Sequence, residues 1–299
     1  MILCCGEALI DMLPRTSVDG EQAFAPYAGG AVFNTAIALG RLGAPSGYLG
    51  GLSEDLFGQI LADALSASKV DFSLCPRSPR PTTLAFVTLT DGQARYAFYD
   101  ENTAGRMLTE SDLPMLGDET QALFFGGISL VSEPQADSYA ALCAAAGDRV
   151  VMIDPNIRPG FITDEARYRS RLAGMLTRAD IIKISDEDME WLGTDAASLL
   201  SGETRVVLVT RGAEGVDVVT ARGTKRVPAR RVEVVDTVGA GDTFNAGFLS
   251  GLHQAGLLTR AALAEATEEA LSLAADLGAR AAAVTVSRAG ANPPWDTEL

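Results

Sequence analysis

Three small residues stand immediately before a carboxylate at the start of a helix-forming segment late in the chain. Gly239, Ala240 and Gly241 are followed by Asp242, and helical spacing continues through Gly241–Ala255. The first N–H groups of a helix have no partner inside the helix, and small residues let a ligand approach them closely. This pattern predicts a phosphate-binding concavity with a carboxylate beside it. Such a pairing suits phosphoryl transfer, in which backbone donors hold the charge and the carboxylate takes a proton from the attacking hydroxyl.

Two common nucleotide motifs do not fit this stretch. A P-loop requires a Lys after its last Gly, whereas Asp242 follows Gly241. A dinucleotide fingerprint requires a third Gly at the position that Phe244 occupies. The local pattern alone leaves a second interpretation of Asp242, in which its charge only complements the helix dipole.

Composition excludes several classes of protein. The net charge of -15 argues against a nucleic-acid binder and against docking on an anionic membrane. No run of about twenty apolar residues is present, and the N-terminus lacks the basic leader of a signal peptide. The chain has one His and four Cys without a Cys-x-x-Cys pair, which argues against zinc and is typical of free thiols in a cytoplasmic protein.

The elements that position Asp242 follow an alternating order. Short apolar runs alternate with segments of helical spacing, which predicts an α/β fold with a mostly parallel sheet between two helical layers. We expect one domain over residues 1–299. The predicted strands are Ile2–Ile10, Ala122–Phe125, Val150–Ile153, Ile181–Ile184 and Val206–Val209, with a hairpin over Val216–Thr220 and Lys225–Pro228. The predicted helices are Phe33–Leu42, Gln135–Ala146, Asp164–Thr177, Gly241–Ala255 and Arg260–Asp276.

One region interrupts the alternation. Thr82–Thr90 and Gln93–Asp100 are strand-like and are separated by Asp91-Gly92, a strong hairpin signal. Phe24–Tyr27 would add a further strand. We expect these segments to form a small β lid, built from about residues 12–28 and 80–102.

Two separated signatures resemble those of the ribokinase-like (PfkB) carbohydrate kinases. The C-terminal one is Asp236-Thr237-x-Gly239-Ala240-Gly241-Asp242-x-Phe244, and the N-terminal one is Gly29-Gly30-Ala31-x-x-Asn34-x-Ala36. The order of elements matches over essentially the whole chain. Within that family, the segments Gly6–Asp11, Tyr96–Tyr99 and Asp154–Arg158 are most similar to bacterial fructokinases.

The resemblance implies roles for individual residues. Asp242 would be the catalytic base, Gly239, Ala240 and Gly241 would form the anion hole, and Arg158 would reach the phosphoryl group or the sugar. The sugar pocket would contain Asp11, Gly29, Gly30, Asn34, Tyr96 and Phe98, with the two aromatic side chains covering the sugar. Taken singly, each of these residues also has a purely structural interpretation, so their joint pattern carries the assignment.

The nucleotide side departs from the family pattern. The family has Lys and then Asn-x-x-Glu after a strand, whereas this chain has Lys183 and Ser185, with Asp188 in place of the Glu. Both replacements keep oxygen atoms suited to hydrated Mg²⁺, with Glu187 as a second candidate through water. The alternative is an acidic helix N-terminus. Thr210, Gly212 and Gly215 resemble the family's turn beside the nucleotide, and a plain strand-to-hairpin turn is the alternative.

The combined hypothesis is ATP-dependent phosphorylation of D-fructose at the 6-hydroxyl. The resemblance further implies Mg²⁺, a monovalent cation such as K⁺ near Asp236, and a homodimer formed through the lid. Open alternatives are 2-keto-3-deoxygluconate or another sugar or nucleoside as acceptor, with Arg95 and Arg106 as candidate contacts for a carboxylate. A non-catalytic sugar sensor is the alternative from a different class.

Overall fold

Buried strand segments and amphipathic helices alternate along most of the chain. In the computed structural model, the backbone of residues 1–90 and 93–299 is described, as are the side chains outside residues 87–96. The strands are β1 (Ile2–Cys5), β2 (Leu9–Thr16), β3 (Gln22–Gly29), β4 (Ser46–Leu49), β5 (Leu52–Ser53), β6 (Arg77–Ser78), β7 (Leu84–Thr90), β8 (Gln93–Tyr99), β9 (Ala122–Gly126), β10 (Val150–Asp154), β11 (Ile181–Ser185), β12 (Val206–Thr210), β13 (Val216–Thr220) and β14 (Gly223–Val227). The helices are α1 (Ala31–Arg41), α2 (Leu56–Ala67), α3 (Gln135–Ala144), α4 (Glu165–Arg178), α5 (Asp186–Leu192), α6 (Ala196–Leu199), α7 (Ala240–Gln254), α8 (Arg260–Ala264) and α9 (Glu268–Val286).

Eight strands form the central sheet in the order β14-β13-β12-β11-β10-β9-β1-β4. The pairs from β4 to β12 are parallel, and β13 and β14 are antiparallel additions at one edge. Alternate residues of each strand enter different cores, as expected for a sheet that is covered on both faces. Ile2 and Cys4 pack on the side of α1, α2, α7 and α9, whereas Leu3 and Cys5 pack on the side of α3, α4 and α5. The predicted three-layer α/β architecture is therefore confirmed.

A second, four-stranded sheet has the order β3-β2-β7-β8. Both strand segments of the predicted hairpin are present, and the Asp91-Gly92 turn itself lies outside the described residues. The sequence predicts the lid from about residue 12, whereas the chain enters this sheet at Leu9, where β2 begins as a full strand paired with β3 and β7.

The prediction of one strand over Ile2–Ile10 is wrong. The chain leaves the central sheet after Cys5 and enters the second sheet at Leu9. At the break, a Cβ on Gly6 would lie 2.4 Å from a methyl carbon of Val32, so α1 approaches the backbone too closely for any larger residue. A continuous buried apolar run does not reveal such a break, because burial continues across it.

The prediction of one helix over Arg260–Asp276 is also wrong. It contains α8 and the first half of α9, and the second helix starts afresh at Thr267, whose hydroxyl accepts the Ala270 N–H at 3.1 Å. A threonine followed by two glutamates is an N-cap signal that the uniform Ala, Leu and Glu composition concealed. Among the described residues, no helix is both long enough and apolar enough to cross a bilayer.

Candidate active site

Helix α7 begins at a position that only glycine can occupy without strain. Gly239 is its N-cap in the left-handed region, with φ 77°, and a Cβ there would lie 2.7 Å from the Cβ of Ala291. The Ala240 N–H donates to Thr237 O at 3.3 Å. Among the described residues, the N–H groups of Gly239, Gly241 and Asp242 have no acceptor. This helix start therefore presents unsatisfied donors, as an anion site requires.

Asp242 lies in the first turn of α7 and is 9% exposed. Its Oδ2 accepts a hydrogen bond from Asn34 Nδ2 at 2.9 Å, and its main-chain oxygen is 3.3 Å from Thr35 Oγ1. Burial raises the pKa of this carboxyl to about 7, and the charges of Asp154 and Glu7 add to the rise, whereas Asn34 and Lys183 oppose it. A carboxyl with a pKa near neutrality can both accept and release a proton, which is the property expected of a general base.

Asn34 is placed by α1, whose N-cap residue Gly30 supplies no side chain. Glu7, in the connection between β1 and β2, supplies the buried carboxylate that caps α1 in place of a Gly30 side chain. Glu7 Oε1 accepts the Ala31 N–H at 2.8 Å, and Oε2 accepts the Ser129 N–H at 3.2 Å. Burial raises the pKa of Glu7 as well. Sequence reasoning missed Glu7; an acidic residue inside a buried strand-like run is the signal that could have found it.

Lys183 is tied to a buried carboxylate at the end of β10. Its Nζ donates to Asp154 Oδ2 at 3.0 Å, and the same oxygen accepts a bond from Asn245 Nδ2 at 2.7 Å. Asp154 Oδ1 is buried with no partner among the described residues. A Cβ on Gly241 would lie 3.4 Å from Lys183 Nζ, so this cation lies beside the start of α7. Asp154 and Asn245 were not recognised as site residues from sequence, because a polar residue at the end of a strand or in the second turn of a helix carries no distinctive local signal.

The acidic segment after β11 forms the first turn of α5. Ser185 is the N-cap and accepts the Asp188 N–H at 3.0 Å. Asp188 is buried, its Oδ1 accepts the Ile157 N–H at 3.1 Å, and burial followed by the charge of Asp154 raises its pKa. Glu187 is exposed. The interpretation as an acidic helix N-terminus therefore accounts for Ser185. Asp188 is buried close enough to Asp154 for that charge to affect its pKa, whereas Glu187 is exposed.

The second sheet contributes Asp11 and Phe98 to one face. Asp11 pairs with Ala85, and Ala85 pairs with Phe98, so the three residues lie side by side across β2, β7 and β8. The predicted strand Ile2–Ile10 would put Asp11 at the end of the first strand, whereas Asp11 lies within β2 of the second sheet. Burial raises the pKa of Asp11 to about 6, and a Cβ on Gly29 would lie 2.3 Å from its Oδ2. The side chain of Tyr96 lies outside the described residues.

Phe98 also packs against Phe161, with ring centroids 4.8 Å apart, at a cavity of about 230 Å³ that Glu7 lines as well. Glu7 therefore lines this cavity, and its charge also raises the pKa of Asp242. By contrast, Arg158 is exposed, and among the described residues its guanidinium donates only to Ile157 O, at 3.0 Å. The structure therefore does not bring Arg158 into contact with Asp242.

Two further loops approach the site from the nucleotide side predicted by sequence. Asp236 accepts the Val238 N–H at 3.0 Å and the Gly290 N–H at 2.9 Å, which joins the loop before α7 to the loop after α9. Thr210 is the last residue of β12, and Gly212 and Gly215 lie in the turn between β12 and β13. Gly212 begins a 3-10 helix there, and both glycines have positive φ. This turn follows the carboxyl end of β12, where Thr210 pairs with Ser185 at the end of β11, two residues after Lys183.

Sequence comparison decides the family. The pattern of the pfkB family carbohydrate kinases matches residues 1–298. The chain belongs to the pfkB family of carbohydrate kinases. The chain is 54% identical to a fructokinase from Rhizobium leguminosarum bv. trifolii over 278 residues, which is 91% of this chain and 85% of the relative.

Solved structures of similar proteins agree with this assignment. An ATP-bound fructokinase from Xylella fastidiosa superposes on this pfkB kinase with a TM-score of 0.88 and 31% identity, covering 97% of this chain and 93% of that one. A double mutant of fructokinase from Vibrio cholerae, in its fructose, ADP and potassium ion bound form, gives a TM-score of 0.82 and 25% identity, covering 97% and 93%. The resemblance carried by the two signatures is confirmed, and so is the expected fold.

Proposed function

We propose that this pfkB kinase transfers the terminal phosphoryl group of ATP to the 6-hydroxyl of D-fructose. The observation that carries the proposal is the buried carboxylate of Asp242, which lies beside unsatisfied N–H groups at the start of α7. The 54% identity to the Rhizobium fructokinase supports fructose as the acceptor. The fructose and ADP in the Vibrio cholerae enzyme support the same pairing of substrates.

Asp242 is the general base in this proposal. Asn34 occupies Oδ2, whereas Oδ1 takes no hydrogen bond from the described residues, so Oδ1 is the atom that would receive the proton of the 6-hydroxyl. A base whose pKa lies near the working pH transfers protons most effectively, and the pKa of about 7 meets that condition.

The start of α7 forms the anion hole. Of the predicted residues, Gly239 and Gly241 have N–H groups without an acceptor in the described part of the chain, and Ala240 contributes mainly by being small. The N–H of Asp242 is a third available donor. Lys183 lies close enough to Gly241 to add a positive charge to the same region. The side chain of Arg158 is exposed and would have to turn inward to contact the phosphoryl group. Closure of the lid over the substrates would allow that movement.

The sugar would lie between α1 and the second sheet, which acts as the lid. Asp11 and Asn34 supply polar contacts, and Phe98 supplies apolar cover together with Tyr96. Gly29 and Gly30 keep the approach open, since a side chain at Gly29 would meet Asp11 and one at Gly30 would lie 2.8 Å from Glu7 O.

The nucleotide would lie along the carboxyl ends of β11 and β12, beside Lys183 and Ser185. Thr210 at the end of β12 and the following turn with Gly212 and Gly215 would contact it as well. The carboxylates of Asp188 and Glu187 fit a hydrated Mg²⁺, which needs only one or two protein oxygens in addition to the phosphates. When bound, Mg²⁺ would neutralise charge on those phosphates. The Oδ2 atom of Asp188 has no hydrogen-bond donor among the described residues, so it can face a metal-bound water.

Asp236 is the proposed neighbour of a monovalent cation. It joins the two loops that would enclose such an ion, and their main-chain oxygens would supply further ligands. The potassium ion in the Vibrio cholerae fructokinase supports this assignment.

The outward face of the lid sheet supports a homodimer. Phe24, Phe86 and Tyr99 form an edge-to-face cluster with centroids 5.0 and 5.6 Å apart, on the face opposite Asp11 and Phe98. Phe24 is 43% exposed and Tyr99 is 61% exposed, so a second copy of this sheet would bury substantial apolar area. Sedimentation of Phe24→Ser beside the unaltered protein tests this point, and we expect the variant to be monomeric.

The decisive experiment is ADP release, measured with fructose, glucose, mannose, ribose, adenosine and 2-keto-3-deoxygluconate, with Asp242→Asn beside the unaltered enzyme. We expect fructose to give the highest kcat/KM. We expect the variant to lose about 10²–10⁴-fold in kcat while calorimetry still detects both ligands. Turnover of another acceptor alone would refute fructose as substrate, and binding without any turnover would indicate a sugar sensor.

A further inference from the structure

The cavity beneath the lid contains one cation among its described lining residues. It is lined by Glu7, Thr83, Phe98, Asp100, Arg106 and Phe161, among others. A cation in such a place would be the natural partner of a carboxylate on an acceptor, because a guanidinium binds carboxylates strongly and with defined geometry. Whether Arg106 is available therefore decides which acceptors this cavity favours.

Arg106 is already engaged. Its Nη1 lies 3.2 Å from Asp100 Oδ1, and its Nε lies 3.5 Å from Glu133 O. The side chains of Arg106 and Asp100 are 33% and 27% exposed, so both lie at the cavity wall and not in open solvent. An acceptor carboxylate would have to displace Asp100 and would meet its negative charge at close range.

We propose that Asp100 is a specificity-determining residue, which pairs with Arg106 and so makes the cavity accept neutral polyhydroxy sugars and reject sugars that carry a carboxylate. This inference rests on the proposed sugar kinase function. It predicts that 2-keto-3-deoxygluconate is a poor acceptor although an arginine is present.

Asp100→Asn removes the charge and keeps the size of the side chain. We expect the ratio of kcat/KM for 2-keto-3-deoxygluconate to that for fructose to rise on the order of tenfold or more. One charge a few ångströms away at an effective dielectric near 20 sets an upper limit of about 10³-fold, and the partial exposure of Asp100 to solvent reduces the effect. The double variant Asp100→Asn with Arg106→Gln should lose this gain, because the cation that would bind the carboxylate is then gone.

Glu101→Gln is the matched control. It changes the net charge equally and lies next to Asp100, but Glu101 is exposed and makes no ion pair among the described residues. An unchanged ratio in Asp100→Asn, or an equal rise in Glu101→Gln, would overturn the inference. So would efficient use of the sugar acid by the unaltered enzyme.

Failure of the proposed function has a different outcome. If a neutral sugar other than fructose is phosphorylated, the same ratio is measured with that sugar in place of fructose. If no acceptor is phosphorylated, the ratio of dissociation constants for fructose and the sugar acid is measured by calorimetry on the same variants. A tenfold shift toward the acid in Asp100→Asn then supports the inference, and no shift refutes it.

Discussion

Asn34 and Asp242 are 208 positions apart in the sequence, and Asn34 Nδ2 donates a 2.9 Å hydrogen bond to Asp242 Oδ2. The bond joins the first turns of α1 and α7 and leaves the other carboxylate oxygen available. It also favours the ionised form of a carboxyl that burial drives toward the protonated form. Asn34 therefore has an effect on the base that is separable from any contact with the sugar.

Replacement of Asn34 should shift the pH dependence of the reaction. In the unaltered enzyme, kcat/KM should fall as the pH decreases through about 7, because protonated Asp242 cannot accept a proton. Asn34→Leu removes a stabilising donor, so the pKa should rise, by roughly one unit if the bond contributes about 1.5 kcal/mol.

Glu7, Asp154 and Lys183 also act on this carboxyl and are unchanged in the variant. Thr35→Val is the control, since Thr35 contacts only the main-chain oxygen of Asp242. An acid limb at the same pH in Asn34→Leu and the unaltered enzyme would contradict the assignment of Asp242 as the titrating base.

Asp242 should reduce stability at neutral and alkaline pH. Its pKa is about 7 in the folded protein and 3.8 as a reference, so the folded state binds the proton more tightly. The resulting destabilisation is absent below pH 4, grows as the pH rises from about 4 to 7, and is complete above 7.

Asp242→Asn should therefore be more stable than the unaltered protein at pH 8 by about 2–4 kcal/mol and equally stable at pH 4. Urea unfolding of both proteins without ligands, at the two pH values, measures this difference. A constant difference at both pH values would indicate a packing effect and not a titration.

The buried pair of Lys183 and Asp154 should be strongly coupled. Lys183→Met leaves the Asp154 carboxylate buried with only Asn245 as a partner, and such a change costs about 3–5 kcal/mol. Adding Asp154→Asn should restore much of that loss, because the uncompensated charge is removed. Urea unfolding of the two single variants and the double variant gives the coupling energy, and additive losses would show that the two side chains act independently.

Gly29→Ala should impair the sugar site more than the fold. The new Cβ would lie 2.3 Å from Asp11 Oδ2, so the carboxylate must move. We expect the KM for the sugar to rise on the order of tenfold, with the KM for ATP unchanged, since small misplacements of positioning groups are costly. Gly174→Ala is the control, because no atom lies within 4 Å of its added Cβ and α4 should gain about 0.5–1 kcal/mol. An unchanged sugar KM in Gly29→Ala would place the acceptor away from Asp11.

The sequence by itself determined the layered α/β fold and the family, and it predicted an anion site beside Asp242. The spacing of apolar residues predicted the parallel strands from β9 to β12 and the helices α1, α3, α4 and α7. Side-chain direction repeats with a fixed short period in each type of element, so this spacing is a local property of the sequence. The small residues before Asp242 predicted an anion site for the same reason, since a helix start is a local feature. The two signatures then identified the family, which the match over residues 1–298 confirms.

Only the tertiary structure decided which distant residues surround Asp242. Glu7 belongs to the site because it occupies the N-terminus of α1, and Asp154 belongs because β10 ends beside Lys183 on β11. The local pattern does not show what either residue contacts, because each contact joins segments at least 24 positions apart. The break of the first strand at Gly6, where Val32 of α1 approaches the backbone, and the contact of Arg106 Nε with Glu133 O depend likewise on close approach between remote segments. Spacing along the chain carries no information about such distances, whereas packing of the folded layers fixes them.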